Sequence, residues 1–250
     1  MNPPEPGTVT LVGGGPGDPD LLTVAGLRAL QAADVVYTDH LAPDMAGLLP
    51  ERVEVVNVGK TPRGPGTPQG EINALLVGAA RAGRRVVRLK GGDPYVFGRG
   101  GEEALACAEA GVPVQVVPGV SSAVAGPSLA GVPVTHRTLS QGFTVVSGHV
   151  PPGDPRSSLD WEALARVQTT LVILMGVKHL AAITDALTRG GLPAATPAVV
   201  VAGACRPDTQ VVRGTIETIA ADATAHGIRP PAITVVGHVA GLDLSALPTT

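Results

Sequence analysis

The sequence predicts an α/β protein with two lobes, an N-terminal lobe on a mainly parallel sheet and a C-terminal lobe on a mixed sheet. Short, nearly continuous apolar runs alternate with amphipathic segments, a pattern typical of parallel strands covered by helices on both faces. In the second half, the short gap around residues 209–214 indicates at least one antiparallel strand, because a parallel crossover needs a longer connection. Glycine-rich turns follow several of the apolar runs and mark the ends of strands.

The first lobe is expected to alternate strands and helices. Strands are predicted at 8–12, 34–38, 53–58, 85–89 and 114–117. Helices are predicted at 21–33, around 72–79 and at 102–110. After the end of the first lobe, a helical segment at 121–130 is rich in alanine, glycine and serine, which suits close packing between two lobes.

The second lobe repeats this alternation. Strands are predicted at 143–147, 171–175, 198–202, 210–213 and 233–239, and helices at 160–166, 178–188 and 216–223. We therefore divide the chain into a disordered lead-in at 1–7, an N-terminal α/β lobe at 8–119 and a C-terminal α/β lobe at 120–250. The cleft between the lobes is the expected position of the active site.

Composition argues against several classes of function. A net charge of −3 and an aromatic content of 2% do not suit nucleic-acid binding, which needs basic surfaces and stacking residues. The apolar runs are too short to span a membrane, and residues 1–7 lack the basic and apolar segments of a signal peptide. Cys107 and Cys205 lie far apart, and the six histidines show no metal-ligand spacing. We expect a cytoplasmic enzyme with no metal, no nucleic-acid partner and no membrane partner.

The most informative segment is Val86–Glu103, with the sequence VVRLKGGDPYVFGRGGEE. A β-branched run ends there in GGDP, where two glycines leave the backbone bare for contact with a ligand and the proline stiffens the turn. The sequence GGGPGDP at Gly13–Pro19 repeats this arrangement after the first strand. Taken alone, a GGDP sequence could equally be an ordinary connection between a strand and a helix.

The sequence does not match the common motifs that bind nucleotide phosphates. The first turn does not match the dinucleotide pattern GxGxxG, because Asp18 stands at the last glycine position. The segment that ends in Gly59-Lys60-Thr61 does not match a P-loop, because Glu54 stands where glycine is required. The small, polar turns that remain suit a zwitterionic ligand bearing adenosine better than a triphosphate.

These turns, together with PGVSS at Pro118–Ser122 and THR at Thr135–Arg137, resemble the motifs of the tetrapyrrole methylase family. The resemblance extends in order from Val9 to about Val239. It implies two α/β lobes that hold S-adenosylmethionine in the cleft between them, with S-adenosylhomocysteine as product. It also implies a small-molecule tetrapyrrole substrate and a homodimer.

Carried over position by position, the resemblance assigns the cofactor contacts. They are Pro16, Gly91, Gly92, Asp93, Val96, Ser121, Ser122, Met175 and Ala204. Met175 would flank the adenine, where a thioether packs well on a flat ring. At Ala204-Cys205-Arg206 the family usually has Gly-Thr-Arg. The methyl group of Ala204 therefore either narrows the cofactor site on this side or leaves the backbone contact with the cofactor unchanged. The first turn has GGGP where GAGP is common, a change that we expect to be tolerated.

The sequence of Gly91–Glu103 is most similar to the corresponding sequence of the family members that act early in the synthesis of modified tetrapyrroles. These methylate uroporphyrinogen III twice, at C2 and C7, to precorrin-2, which feeds sirohaem or cobalamin. Because this substrate carries eight carboxylates, Arg63, Arg99 and Arg137 are candidate substrate contacts. Each arginine could equally be a solvated surface residue.

The resemblance also assigns the catalytic pair. Asp39, at the end of the second predicted strand, matches the aspartate proposed in the family as proton acceptor. Lys60, after the third strand, matches the lysine proposed as proton donor. Asp39 could instead cap a helix and Lys60 could simply be exposed, but strand carboxyl ends are where open α/β sheets hold ligands.

Alternatives to this function stay open within the family and in other classes of protein. The first is a later precorrin methyltransferase of the same family, or a relative that modifies protein or RNA. From other classes come a nicotinamide-dependent oxidoreductase and a non-catalytic binding module. The failed GxGxxG pattern weakens the oxidoreductase, and the set of Asp39, Lys60 and GGDP weakens the binding module.

Overall fold

The computed structural model describes residues 4–59 and 67–244 and divides the chain into two compact units, one ending at Ser121 and one beginning at Ser122. The first unit carries a parallel sheet and the second a mixed sheet, so the predicted fold class is confirmed. Of the lead-in predicted to be disordered, residues 4–7 are described. Pro4 is buried, and the Gly7 amide donates to the Arg84 carbonyl at 3.1 Å.

In its described part, the first unit contains five strands and three α-helices. The strands are β1 (Val9–Gly13), β2 (Val35–Thr38), β3 (Glu54–Asn57), β4 (Val86–Lys90) and β5 (Val114–Val117). The helices are α1 (Val24–Ala32), α2 (Gln69–Arg81) and α3 (Gly100–Glu109). The strand order is β3-β2-β4-β1-β5, and every neighbouring pair is parallel.

Alternating residues of the first sheet supply the two halves of its core. On β1, Val9 and Leu11 pack in a cluster with Leu76 of α2, whereas Val12 packs in a second cluster with Leu30 of α1. All five side chains are fully buried, which explains why the strands have nearly continuous apolar sequences.

The strand order creates one position where connections diverge. Strands β2 and β4 are neighbours, but the chain leaves β2 for β3 at one edge of the sheet and leaves β4 for β5 at the other edge. Open α/β sheets bind ligands at the carboxyl ends of the strands beside such a switch point. A ligand-binding site is therefore expected at the turns that follow Thr38 and Lys90.

The described part of the second unit contains five strands and four α-helices. The strands are β6 (Phe143–Ser147), β7 (Thr170–Leu174), β8 (Pro197–Ala202), β9 (Gln210–Thr215) and β10 (Ala232–Val236). The helices are α4 (Ser122–Leu129), α5 (Trp161–Leu164), α6 (Leu180–Arg189) and α7 (Ile219–Ala225). The order is β6-β7-β10-β8-β9, in which β6 and β7 are parallel and the other neighbours are antiparallel. This confirms the prediction of an antiparallel strand around 209–214.

Several predicted boundaries differ from the structure by up to three residues, and two of these differences have a local cause. The segment predicted as a helix at 21–33 begins as a 3-10 turn at Pro19–Leu21, and α1 starts only after Thr23, whose hydroxyl accepts the Gly26 amide at 3.0 Å. The last strand, predicted to reach 239, ends at Val236, because Gly237 has a φ of 136° and a 3-10 turn follows. Within the described ranges, no helix is both long enough and apolar enough to cross a bilayer.

Candidate active site

The turns that follow β1 and β4 are joined by backbone hydrogen bonds. The Gly14 amide donates to the Lys90 carbonyl at 2.7 Å. Gly15 and Gly92 form an isolated antiparallel bridge, with Gly92 N to Gly15 O at 2.6 Å and Gly15 N to Gly92 O at 3.2 Å. The turn GGGPGDP after β1 and the turn GGDP after β4 thus form one continuous backbone surface at the carboxyl edge of the sheet.

Asp93 fixes this surface through its carboxylate. One oxygen, Oδ1, accepts the amide of Tyr95 at 2.9 Å within the same turn. The other, Oδ2, accepts the amide of Gly119 at 3.1 Å and so joins the turn after β4 to the turn after β5. The aspartate of GGDP therefore has a structural role that sequence reasoning did not assign to it.

The glycines at this edge are required by close approach of the backbone. A methyl group built on Gly119 would lie 2.6 Å from Gly13 Cα and closer still to Gly92 O. A methyl group built on Gly91 would lie 2.6 Å from the Leu41 carbonyl oxygen, and Gly92 has a φ of 67°. The protein's own packing thus gives a reason for these glycines besides the ligand contact expected from the sequence.

Four non-glycine residues of the described chain have a positive φ. They are Phe97 at 54°, Arg99 at 60°, Met175 at 58° and Cys205 at 68°. Each such residue costs about 1–3 kcal/mol and persists only where the surroundings enforce it, which happens most often at binding and catalytic sites. All four lie in, or next to, segments that the sequence predicts to bind the cofactor.

Asp39 directly follows β2 and is held by two groups. Its Oδ1 accepts the Leu41 amide at 3.1 Å, and its Oδ2 lies 2.9 Å from Nη2 of Arg88 on β4. The Asp39 side chain is 20% exposed, whereas the Arg88 side chain is 4% exposed. The predicted proton acceptor therefore lies at the switch point, open to solvent on one side and paired with a buried cation on the other.

Arg88 belongs to a buried charge cluster that we define as Asp39, Arg88, Lys90 and Glu103. Glu103, on the first turn of α3, accepts Arg88 Nε at 3.1 Å and Lys90 Nζ at 3.1 Å, both through Oε1. Lys90 Nζ also lies 3.0 Å from Oε2, without hydrogen-bond geometry. Burial first, and then the Arg88 charge, lowers the pKa of Lys90, whereas Glu103 opposes this shift.

A cavity of about 400 Å³ opens beside Asp39 in the first unit. Thr38, Asp39 and Leu89 line it from the two strands at the switch point, and the segment Pro43–Gly47 contributes another wall. The residue that is predicted to accept a proton therefore lies in the wall of a cavity.

Two of the predicted site residues have no described position. Lys60 and Arg63 lie outside the described residues. Gly59, the neighbour of Lys60, packs against the Asp39 backbone, since a methyl group built on it would lie 3.2 Å from Asp39 Cα and 2.9 Å from His40 N. The end of β3 is thus adjacent to the end of β2.

The two described candidate arginines have different surroundings. Arg99 makes a bidentate ion pair with Glu102, with distances of 2.8 and 2.6 Å, and this pair lowers the pKa of Glu102. Arg137 is exposed on a tight turn that the His136–Ser140 bridge closes, and it has no ion-pair partner among the described residues. Of the two predicted substrate contacts, Arg137 is the one whose charge is not paired within the described residues.

The remaining predicted residues are accounted for in each unit separately. In the first unit Pro16 is half-buried, Val96 is 37% exposed, and Ser121 ends the unit. In the second unit, Ser122 begins α4 and Met175 directly follows β7, 48% exposed.

Ala204 packs against a core cluster of the second unit that includes Ile233 of β10. A methyl group built on Gly126 of α4 would lie 3.7 Å from the Ala204 methyl. The methyl group of Ala204, which stands where the family usually has glycine, is therefore accommodated in part by apolar packing.

Sequence reasoning missed Arg88, Lys90 and Glu103. Arg88 and Lys90 alternate with apolar residues on β4, a pattern that normally places charges in solvent. The available signal was the acidic pair at the start of the following helix, of which Glu103 supplies a carboxylate to both cations. Among the described residues, no group of histidine, cysteine, aspartate and glutamate could hold a metal ion.

Comparison with known proteins agrees with the motifs. The chain matches the family of Tetrapyrrole (Corrin/Porphyrin) Methylases over residues 8–220. It is 47% identical, over 238 residues, to the S-adenosyl-L-methionine-dependent uroporphyrinogen III methyltransferase of Methanosarcina barkeri, covering 94% of this chain and 93% of that protein. It is 46% identical over 237 residues to the siroheme synthase of Chromobacterium violaceum, covering 94% of this chain and 50% of that protein. The chain thus spans about half the length of the siroheme synthases that it matches.

A solved structure agrees with the fold as well. The uroporphyrin-III C-methyl transferase from Thermus thermophilus, complexed with S-adenyl homocysteine, matches with a TM-score of 0.77 and 43% sequence identity, covering 93% of this chain and 98% of that chain. The sequence motifs, the two sheets and these similarities all agree. The chain belongs to the tetrapyrrole methylase family.

Proposed function

We propose that this protein is an S-adenosylmethionine-dependent methyltransferase that methylates uroporphyrinogen III at C2 and C7 and forms precorrin-2. The observation that carries the proposal is the position of Asp39 at the switch point, beside a cavity and paired with buried Arg88. The relative from Methanosarcina barkeri, whose name states this substrate and cofactor, supports the assignment, because the chain covers 93% of its length.

The residues at the carboxyl edge fit the cofactor. The bridged turns of Gly15 and Gly92 present backbone groups, and Asp93 keeps acceptor capacity beyond its two amide contacts. Exposed Val96 supplies apolar surface for the ligand's adenosine. The residues proposed to hold the cofactor are Pro16, Gly91, Gly92, Asp93, Val96, Ser121, Ser122, Met175 and Ala204. When bound, S-adenosylmethionine supplies an electrophilic methyl group.

The chain's own residues handle the proton and the substrate's charge. Attack by a pyrrole carbon leaves positive charge on the ring system, and loss of a proton to a carboxylate oxygen of Asp39 removes it. Arg88 holds that carboxylate in place through Nη2. Lys60 is proposed as the proton donor, and Arg137, together with Arg63 and Arg99, as contacts for the substrate carboxylates.

We propose the finer properties from the family resemblance. The enzyme is a cytoplasmic homodimer that uses no metal and has no nucleic-acid or membrane partner. Whether its product enters sirohaem or cobalamin synthesis is decided after the step proposed here, because both routes share precorrin-2.

The test of the reaction is an anaerobic single-turnover experiment with uroporphyrinogen III. With limiting cofactor we expect mass spectrometry of the oxidised pigments to show one added methyl group, and with excess cofactor two. Transfer to a later precorrin, with none to uroporphyrinogen III, would assign the chain to the later precorrin methyltransferases. Calorimetry with S-adenosylmethionine and with NAD separates the methyltransferase from the oxidoreductase.

The test of Asp39 is the variant Asp39→Asn, which keeps the shape of the side chain but removes the base. We expect turnover to fall by about 10²–10⁴-fold with cofactor affinity unchanged. Asp185→Asn makes the same change at an exposed position on α6 and should leave turnover unaltered. Turnover of Asp39→Asn at the parental rate would make Asp39 a structural residue.

A further inference from the structure

We infer that Glu103 is a positioning residue for the reaction, which holds Arg88 in the orientation that engages Asp39. Through Arg88 its charge controls the proton-accepting step without contact with the substrate. The inference rests on the proposed acid–base role of Asp39.

The contacts form a continuous path from α3 to the switch point. Glu103 Oε1 lies 3.1 Å from Arg88 Nε, and Arg88 Nη2 lies 2.9 Å from Asp39 Oδ2. Arg88 Nη1 donates to the carbonyls of Tyr37 at 3.3 Å and Leu89 at 2.7 Å. Because a guanidinium group is planar and rigid, contacts that hold Nε and Nη1 also determine where Nη2 points.

Burial makes the charge of Glu103 matter at Asp39. The Glu103 side chain is 0% exposed and those of Arg88 and Lys90 are each 4% exposed, so water screens this cluster weakly. Two carboxylates, Asp39 and Glu103, balance two cations, Arg88 and Lys90. If Glu103 becomes neutral, the two cations face a single carboxylate, and Asp39 then holds its negative charge more strongly and accepts a proton less readily.

Stability alone is a weak reason for such a cluster. Apolar residues of similar volume often stabilise a core as well as a buried ion pair does, because the desolvation of charges costs free energy. Glu103 also collects its hydrogen bonds on one oxygen: Oε1 accepts Arg88, Lys90 and the Gln69 amide, the last at 3.3 Å, whereas Oε2 accepts none from the described residues. This geometry aligns Arg88 and does not maximise the number of hydrogen bonds.

The experiment is a double-mutant cycle of Glu103→Gln and Asp39→Asn, with turnover measured against pH. We expect Glu103→Gln to lower kcat by about 10–100-fold and to move the acid limb of the profile to lower pH, with KM and cofactor affinity unchanged. In the Asp39→Asn background the same substitution should change kcat by less than about twofold, because its effect passes through Asp39. Glu109→Gln, the same change at an exposed position of α3, should leave kcat unaltered.

The outcomes separate this inference from the proposed function. If Asp39→Asn turns over at the parental rate, the acid–base assignment itself fails. If Asp39→Asn is impaired but Glu103→Gln is not, or if Glu103→Gln is equally damaging in both backgrounds, Glu103 does not act through Asp39 and the inference is overturned. Should Glu103→Gln fail to fold, Glu103→Asp keeps the charge and withdraws the oxygens. We then expect lower kcat with the acid limb in place, and a parental kcat overturns the inference.

Discussion

Replacing Gly119 by alanine tests how tightly the turns of the first unit are packed. The backbone of Gly119 has no positive φ, so alanine is compatible with its conformation, and the cost comes from contact alone. The new methyl group would lie 2.6 Å from Gly13 Cα and closer still to Gly92 O, and both neighbours are backbone atoms that cannot rotate away. We expect Gly119→Ala to lower the free energy of unfolding by about 1–3 kcal/mol. A chain of this size loses about 2–4 °C of Tm for each kcal/mol.

The assay is thermal and denaturant unfolding, with cofactor affinity measured by calorimetry on the folded variant. Gly78→Ala is the matched control: Gly78 lies inside α2 with no atom within 4 Å of a built methyl group, so alanine there should raise stability by about 0.5–1 kcal/mol. The two substitutions thus have opposite predicted signs. Equal or higher stability of Gly119→Ala would refute the view that the three backbones are in rigid contact.

Two other predictions concern charged residues. Hydrogen bonds from the Arg156 side chain and amide lower the pKa of Asp154 from 3.8 to about 2, so this carboxylate stabilises the fold above pH 3.8 and loses its contribution as the pH falls through about 2. NMR titration should show that midpoint, and Arg156→Gln should return it toward 3.8; an unchanged midpoint would contradict the assignment. Arg137→Gln should raise KM for uroporphyrinogen III several-fold with kcat unchanged, and Arg99→Gln should raise it less, because Arg99 is already paired with Glu102. An equal KM for all three enzymes would remove both arginines from the substrate site.

Periodicity predicted the elements well, because nearly continuous apolar runs reflect strands that are buried on both faces of a sheet. Periodicity could not predict the order of the strands. Strand β4 lies between β2 and β1, and no local pattern in Val86–Lys90 indicates which strands become its neighbours. That order places Arg88 beside Asp39, although they are far apart in the sequence. The switch point is therefore a property of topology, and the motifs could indicate only the turns around it.

The candidate site shows the same division. The roles of Asp39 and Asp93 were assigned from the family resemblance, and the position of each residue after a predicted strand supported the assignment. The buried charges could not, since a strand that alternates valine and leucine with arginine and lysine usually faces water with its charged side. Glu103 reverses that expectation, because one buried carboxylate can compensate two neighbouring cations.

The hydrogen bonds that join the turns after β1, β4 and β5 also bear on motion. The bridge of Gly15 with Gly92, and the Asp93 contact to Gly119, mean that none of these turns can open without breaking a bond to another. We expect turns joined in this way to open together, so that their amide protons exchange with solvent at similar rates. A ligand that meets this edge finds it already ordered, so little of its binding free energy is spent on immobilising the chain. The surface is preorganised before any ligand arrives.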